Sequence, residues 1–223
     1  PVVRSAEKQK QFITDASHEL KTPITVISTC LRVLEMETGK QKWIDKAQAQ
    51  TEKLTALVNA LVTLSRMDEG VSPLKMELFP LSEAVADTAE SFRDLAQSKG
   101  HELVLDIAPE MTYRGDEYAI RQLVSILLDN AVKYARAGST ITLTLEKTRR
   151  GAVLHCRNGS DPLPEETLAK LFDRFYRADP SRNAATGGFG IGLSIARGIA
   201  EAHKGSICAR MVGEEVEFAA ELR

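Results

Sequence analysis

The chain has 223 residues, 43% of them hydrophobic, so it can bury real cores, and its length suits two domains. A formal net charge of −2, with Lys and Arg mixed among Asp and Glu, excludes a general nucleic-acid binder, because such proteins need clustered cations. The chain has three cysteines, an odd number, and their spacing is not that of metal ligands; they are Cys30, Cys156 and Cys208. We therefore expect buried thiols in a reducing compartment, with neither a disulfide nor a zinc site.

The chain opens at Pro1 without a methionine, and it contains no signal peptide. No apolar run approaches the roughly 20 residues that a membrane-spanning helix requires. We therefore expect a fragment of a longer protein, from which a membrane or sensory part has been left out.

The first predicted elements are two long helices. Apolar residues recur at steps of three and four over 13–34 and again over 44–61, and Gly39-Lys40 offers a tight connection for an antiparallel hairpin. Apolar side chains also lie off these narrow seams, and two helices cannot bury both sides of the hairpin. A second copy would complete a four-helix bundle, so the pattern predicts a homodimer.

His18 lies off the apolar seam among polar neighbours and should project into solvent. A solvated surface histidine is the usual interpretation, but Glu19 follows directly, and Thr22 lies three residues beyond Glu19. A neutral imidazole is a good nucleophile near pH 7, with a pKa of about 6.5, and a carboxylate beside it can take its proton. Pro23 deprives the Glu19 carbonyl of its helical partner, which predicts a kink at His18 and Glu19.

Residues 70–80 contain a glycine and two prolines, which predicts a linker with one short strand and a domain boundary near residue 70. Beyond it, helical patterns at about 81–98, 116–136 and 190–203 alternate with stretches of period two. Those stretches are "HELVLDIA", "TITLTLEKT", "AVLHCRN", "GSICARM" and "EVEFAAELR". The pattern predicts an α/β sandwich of a mixed sheet and helices.

The helix over 121–135, "RQLVSILLDNAVKYA", places its leucines on one face and Asn130, Lys133 and Tyr134 on another. Such polar residues are usually only solvated. Together, however, an amide oxygen suits Mg²⁺ and an ammonium group suits phosphate oxygens. The polar face is therefore a candidate nucleotide site.

The stretch "TGGFGIGLSIARGIA", over 186–200, places four glycines ahead of an apolar-periodic helix. Glycines allow close approach to phosphates, and the helix start supplies free amides and a positive dipole end. By itself this is a weak signal, and a Rossmann fold does not fit because no strand leads directly into it. The polar stretch over 177–186 suits a lid over a nucleotide, from which Arg177 and Arg182 could reach the phosphates.

These motifs, in this order, resemble the boxes of sensor histidine kinases. "FITDASHELKTPITVI" resembles the H-box, "RQLVSILLDNAVKYA" the N-box, "RNGSDPLP" the G1-box, "LFDRFYRAD" the F-box and "TGGFGIGLSIARGIA" the G2-box. The resemblance implies that His18 is phosphorylated by ATP and passes the phosphoryl group to an aspartate of a response regulator. It assigns Glu19 as proton acceptor, and Thr22 as the residue that places water for dephosphorylating the regulator.

The resemblance also implies a set of residues that bind ATP and Mg²⁺, with Asn130 as the metal ligand. The set is Asn130, Lys133, Tyr134, Asn158, Arg177, Arg182, Gly188, Gly190, Gly192 and Leu193. Two positions depart from the family pattern. Ile126 stands where a second Asn is common, and Asn158 stands where an aspartate commonly accepts from the adenine amine, so its acceptor lacks charge.

By resemblance, residues 1–69 form a dimerisation and phosphotransfer hairpin, 70–80 a linker and 81–223 an ATP-binding domain of the gyrase and chaperone type. The expected protein is a homodimer that partners a receiver domain and binds no nucleic acid. We also expect phosphatase activity toward the regulator. The chain is expected to be the cytoplasmic part of a membrane-bound bacterial sensor. Two alternatives are a phosphotransfer or scaffold protein impaired in nucleotide binding, and an ATPase of the chaperone or gyrase type.

Overall fold

The computed structural model describes residue 20 and residues 23–69, 75–178 and 190–223. The chain divides into two compact units, Pro1–Pro73 and Leu74–Arg223. Within the described ranges no helix combines the length and the apolar character needed to cross a membrane.

The first unit contains a helical hairpin. Helix α1 covers residues 23–38, and helix α2 runs over Lys42–Glu69. The chain turns at Gly39, whose φ of +74° lies in the left-handed region that favours glycine, so the predicted connection is confirmed. Across the hairpin, Gln48 Nε2 donates to Glu35 Oε2 at 2.9 Å.

Much of the apolar surface of this hairpin is exposed in the single chain, although Ile24 and Val58 are buried. Among the side chains that the structure describes there, the large apolar ones that remain exposed are Leu20, Val26, Ile27, Val33, Leu34, Met36, Trp43 and Leu54. Exposed apolar area of this extent favours association with a further apolar surface. The four-helix bundle formed by two copies stays a prediction.

The second unit is a mixed sheet covered by helices, as the sequence predicts. Its elements are β1 Glu77–Pro80, α3 Leu81–Glu90, α4 Arg93–Ser98, β2 Glu102–Ile107, β3 Thr112–Gly115, α5 Glu117–Tyr134, β4 Thr140–Thr148, β5 Gly151–Gly159, α6 Glu165–Lys170, α7 Gly192–Ala202, β6 Ser206–Val212 and β7 Glu215–Leu222. The main sheet has the order β2-β4-β5-β7-β6, in which only β2 and β4 pair in parallel. Helices α3, α5 and α7 pack on one of its faces.

The core lies between this sheet and helix α5. Alternate residues of β5, including Leu154 and Cys156, are buried, and α5 buries Leu123 and Leu127 against them. Each fully buried leucine contributes roughly 1.5–3 kcal/mol through lost contact with water. The Cys156 thiol donates to the carbonyl of Leu127 at 3.7 Å, which joins the central strand to the central helix.

All three cysteines are free thiols, but the expectation that each is buried is correct only for Cys156. Cys30 and Cys208 are exposed. Cys30 lies on the outer surface of α1, and Cys208 alternates onto the face of the edge strand β6 that the helices do not cover. Periodicity marks which residues share a face, but not which faces find a partner.

The short strand expected within 70–80 is present: residues 77–80 form β1, which pairs antiparallel with β3 and so belongs to the second unit. One predicted segment differs from the structure. The predicted helix over 81–98 is two helices, because Ser91 Oγ bonds the carbonyl of Thr88 and the backbone N–H of Phe92 bonds back only three residues, to Ala89.

Candidate functional site

Helix α5 presents the first set of candidate residues. Asp116 caps its start by accepting from the Ala119 N–H at 3.0 Å, and the buried leucine stripe fixes which side of the helix faces outward. Asn130 is half-buried, and Lys133 is exposed, with its Nζ 2.5 Å from Asp129 Oδ2. Among the described residues no side-chain hydrogen bond involves Asn130, so its amide oxygen is available to a cation that prefers oxygen ligands.

Asn158 lies at the end of β5, between Ile141 of β4 and Val216 of β7, and its residue exposure is 1%. Its Nδ2 donates to the Gly159 carbonyl at 3.1 Å. Its Oδ1 is buried and has no hydrogen-bond partner among the described residues. A buried acceptor without a partner costs about 1–3 kcal/mol, a cost that an incoming amine donor would remove.

The glycine segment meets α5 at the start of α7. Gly190 has a φ of +70°, and a side chain there would lie 2.7 Å from the Tyr176 carbonyl oxygen, so only glycine fits. A Cβ on Gly192 would lie 3.4 Å from the side chain of Ile126 on α5, which brings the first turn of α7 beside that helix. Leu193 is buried behind the turn.

The first turn of α7 suits an anion. The residue before it, Ile191, makes no side-chain capping bond, so the amide groups that begin the helix are left for another acceptor. Ile126 stands at the position where the resemblance led us to expect a second Asn. Its side chain packs against the first turn of α7 and offers no amide group to a ligand.

The segment that resembles the F-box divides between core and surface. Phe172 is buried and packs edge-to-face against Phe218, with ring centroids 6.3 Å apart. Phe175 is 59% exposed at a φ of +63°, and its N–H donates to the Gly190 carbonyl at 2.8 Å. Arg177 is half-buried and already has an interaction partner.

The structure brings three predicted segments together. The Arg136 N–H, just after α5, donates to the Gly159 carbonyl at 2.8 Å, which joins the end of α5 to the end of β5. The contact of Ile126 with Gly192 joins α5 to α7. Tyr134 lies half-buried near the end of the same helix. The amide of Asn130, the ammonium of Lys133, the acceptor of Asn158 and the α7 amides therefore belong to neighbouring elements.

Several predicted site residues lie outside the described ranges. These are His18, Glu19, Thr22, Arg182 and Gly188. Pro23 is exposed and helical, but the kink predicted at His18 and Glu19 falls outside the described residues.

Sequence reasoning missed a charged cluster on the opposite face of the sheet. Glu217 of β7 is fully buried between Arg157 of β5 and Arg210 of β6, which lie directly beside it in register. Burial raises the pKa of the Glu217 carboxyl, but hydrogen bonds from the two arginines outweigh this effect and hold the pKa below its ordinary value. Only the strand register, which local patterns do not give, brings these three residues together.

Two family models match the chain. Residues 8–70 match the family described as His Kinase A (phospho-acceptor) domain. Residues 115–223 match the family described as Histidine kinase-, DNA gyrase B-, and HSP90-like ATPase.

Curated relatives cover the same two regions. Sensor protein DltS of Streptococcus agalactiae is 35% identical over 222 residues, which is 100% of this chain and 56% of DltS. Sensor histidine kinase YkoH of Bacillus subtilis is 37% identical over 207 residues, which is 88% of this chain and 43% of YkoH. The chain thus spans about half the length of the curated relatives it matches.

Solved structures share the fold. Histidine kinase AdeS of Acinetobacter baumannii has a TM-score of 0.65 and 25% identity, covering 92% of this chain and 96% of the other. Full-length ShkA in complex with AMPPNP has a TM-score of 0.75 and 22% identity, covering 95% of this chain and 46% of the other. A helical hairpin followed by an α/β ATPase-type domain is therefore the architecture of this chain.

Proposed function

This chain belongs to the sensor histidine kinases of two-component systems, and on that premise we propose that it autophosphorylates His18 from ATP. In the proposed step an imidazole nitrogen attacks the γ-phosphorus in line. A nitrogen–phosphorus bond forms, the bond from the γ-phosphorus to the bridging oxygen breaks, and ADP leaves. Glu19 receives the proton from the other ring nitrogen, so the imidazole ring stays neutral and the negative charge of the product lies on the phosphoryl group.

The observation that carries the proposal is the unpaired Oδ1 of Asn158. Because its Nδ2 is occupied by the Gly159 carbonyl, the side chain offers only an acceptor to a ligand. The exocyclic amine of adenine is a donor and suits this atom, whereas the O6 of guanine is an acceptor and does not. Asn158 therefore favours ATP over GTP, with a neutral acceptor in place of a charged one.

The phosphate end of the site uses residues of α5 and α7. Lys133 would leave Asp129 and bind phosphate oxygens, and the backbone N–H groups at the start of α7 would donate hydrogen bonds to those oxygens. Mg²⁺ held by Asn130 would neutralise charge on the phosphates. Arg177 and Arg182 are the proposed cationic groups of the lid.

Transfer from His18 to a receiver-domain aspartate completes the proposed reaction. In the separate phosphatase activity, Thr22 would place the water that hydrolyses the aspartyl phosphate of the regulator and releases inorganic phosphate. We assign residues 1–69 to dimerisation and phosphotransfer, and to ATP binding we assign the predicted 81–223 extended back to residue 77, because β1 pairs with β3. The exposed apolar surface of the hairpin supports homodimerisation. Because the relatives are bacterial sensor proteins, we place this chain in the cytoplasmic part of a membrane-bound sensor.

Incubation with γ-labelled ATP tests the phosphoacceptor. The chain should acquire an acid-labile, base-stable label, His18→Gln should abolish it, and Glu19→Gln should slow its appearance. His155→Gln is the matched control, since His155 lies on the opposite face of the sheet from Asn158. A label that survives in His18→Gln would contradict the assignment.

The neutral acceptor at Asn158 keeps one rival open, a phosphotransfer or scaffold protein that no longer binds nucleotide. Calorimetry with a nonhydrolysable ATP analogue separates the two functions. We expect binding to the unaltered chain and a loss of about tenfold in Asn158→Leu, which keeps the shape and removes the acceptor. No binding by a chain that still dimerises would favour the scaffold.

A further inference from the structure

Arg136 joins three segments of the second unit where α5 ends. Besides its backbone bond to the Gly159 carbonyl at 2.8 Å, its Nη2 donates to the carbonyl oxygens of Ser160 at 2.8 Å and of Glu214 at 3.1 Å. Its Nη1 lies 3.0 Å from Glu214 Oε2. The Ser160 N–H donates to that same Glu214 carbonyl at 3.0 Å. One residue therefore connects the end of α5, the end of β5 and the β6–β7 turn.

These bonds surround the residue that presents the unpaired acceptor. The Gly159 carbonyl accepts both from the Arg136 backbone and from Asn158 Nδ2, so the amide of Asn158 is oriented by a carbonyl that Arg136 itself holds. The corner is closely packed as well. A Cβ on Gly159 would lie 2.7 Å from Cβ of Ser139, so no side chain fits there.

The guanidinium group is needed for its shape as well as for its charge. Its planar fork reaches two backbone carbonyls and one carboxylate at once, whereas a lysine ammonium is a point charge on a flexible stem. The Glu214 carboxylate is 85% exposed, so its ion pair with Arg136 contributes little. The positioning therefore depends on the two hydrogen bonds that the guanidinium group of Arg136 donates to the backbone carbonyls of Ser160 and Glu214.

We propose that Arg136 is a positioning residue for base recognition: it holds the corner of Asn158, Gly159 and Ser160 so that Asn158 Oδ1 faces the exocyclic amine of adenine. This inference rests on the proposed function, since it requires adenine to bind at Asn158. A preformed corner offsets the missing charge of the acceptor, because the ligand does not have to order it.

Binding of adenosine, ADP and ATP, measured by calorimetry, separates the base end of the site from the phosphate end. Arg136→Lys should weaken all three ligands by the same factor, about tenfold, because the lost positioning does not involve phosphate. Lys133→Gln should weaken ADP and ATP and leave adenosine unchanged. Arg93→Lys is the matched control, because Arg93 also bonds one backbone carbonyl and one glutamate but lies on α4, and it should change no affinity.

The ratio of the adenosine and ATP dissociation constants is the deciding quantity, because general loosening of the fold would disturb the phosphate end too. The positioning role is overturned if Arg136→Lys leaves the affinity for adenosine unchanged, or if its loss of affinity grows from adenosine to ADP to ATP. Either result leaves the proposed function standing. If the unaltered chain binds neither adenosine nor ATP, the proposed function fails and the role fails with it.

Discussion

Replacing Glu217 with glutamine should destabilise the second unit by about 3 kcal/mol, at the lower end of the usual cost of breaking a buried ion pair. The carboxylate is fully buried: its Oε2 accepts from Arg157 Nε, and its Oε1 accepts from Arg210 Nε at 2.6 Å. The amide has one acceptor where two arginines donate, and its NH₂ group faces a cation. The cost stays near the lower end because the arginine side chains are 39% and 59% exposed and can be hydrated.

Glu221→Gln is the matched control for this substitution. Glu221 lies on the same strand and the same face, but its pair with Arg223 is about half exposed on both sides, so its loss should cost less than about 1 kcal/mol. Urea unfolding, monitored by far-UV circular dichroism, measures the free energy of unfolding of both variants. With a slope of about 2 kcal/mol per molar urea, Glu217→Gln should lower the midpoint by about 1.5 M.

The chain supplies an internal reference for this assay. Its single tryptophan, Trp43, lies in α2 of the first unit, so tryptophan fluorescence should show the same transition in both variants and in the unaltered chain. If Glu217→Gln lowers the free energy of unfolding by no more than Glu221→Gln does, the reasoning about buried charge is refuted.

The ion pairs of Glu217 with Arg157 and Arg210 also predict how the stability of the second unit depends on pH. Because the pKa of Glu217 is lower folded than unfolded, its charge stabilises the fold above the unfolded pKa of about 4.3, and this contribution is lost as pH falls through the folded pKa. The difference in unfolding free energy between the unaltered chain and Glu217→Gln should therefore narrow as pH falls below about 4. A difference that widens as pH falls below about 4 would contradict this account.

Three further outcomes are expected. Burial raises the pKa of the Cys156 thiol to about 12, so iodoacetamide near pH 8 should modify exposed Cys208 rapidly and Cys156 only after unfolding, as peptide mass mapping would show. Gly205→Ala should cost about 3 kcal/mol in calorimetric melting, because its Cβ would overlap a β7 carbonyl, whereas Gly213→Ala, with open space at a φ of +60°, should cost about 1 kcal/mol. Pro23→Ala should shift the ratio of autophosphorylation to phosphatase activity without weakening the dimer, and an unchanged ratio would refute a role for the proline.

Long periodic segments were predictable from the sequence, and short ones were not. The apolar periodicity of α5 predicted a helix over about 116–136, within two residues of its observed ends at Glu117 and Tyr134. Strand β3, Thr112–Gly115, is too short for alternation to be visible. The break at Ser91 depends on a side chain competing for a backbone carbonyl, which periodicity does not register.

The candidate site was predictable as a set of residues but not as an arrangement. Asn158 was identified by resemblance, yet its burial follows from the pairing of β5 with β4 and β7. Arg136 gave no signal, because its partner Glu214 lies 78 residues further along the chain. Register and long-range contacts are tertiary properties, so local pattern could not supply them.

The pairing of β1 with β3 limits where sensor kinases of this design can be cut and recombined. Phe79 of β1 packs edge-on against Tyr113 at 6.2 Å, and Tyr113 in turn lies against His203, whose Nε2 accepts from the Asp116 N–H at the start of α5. A piece that begins at residue 81 would lose that strand and expose this aromatic contact. Gene fusions that exchange helical hairpins while keeping the ATP-binding unit should therefore succeed only when the junction lies before residue 77.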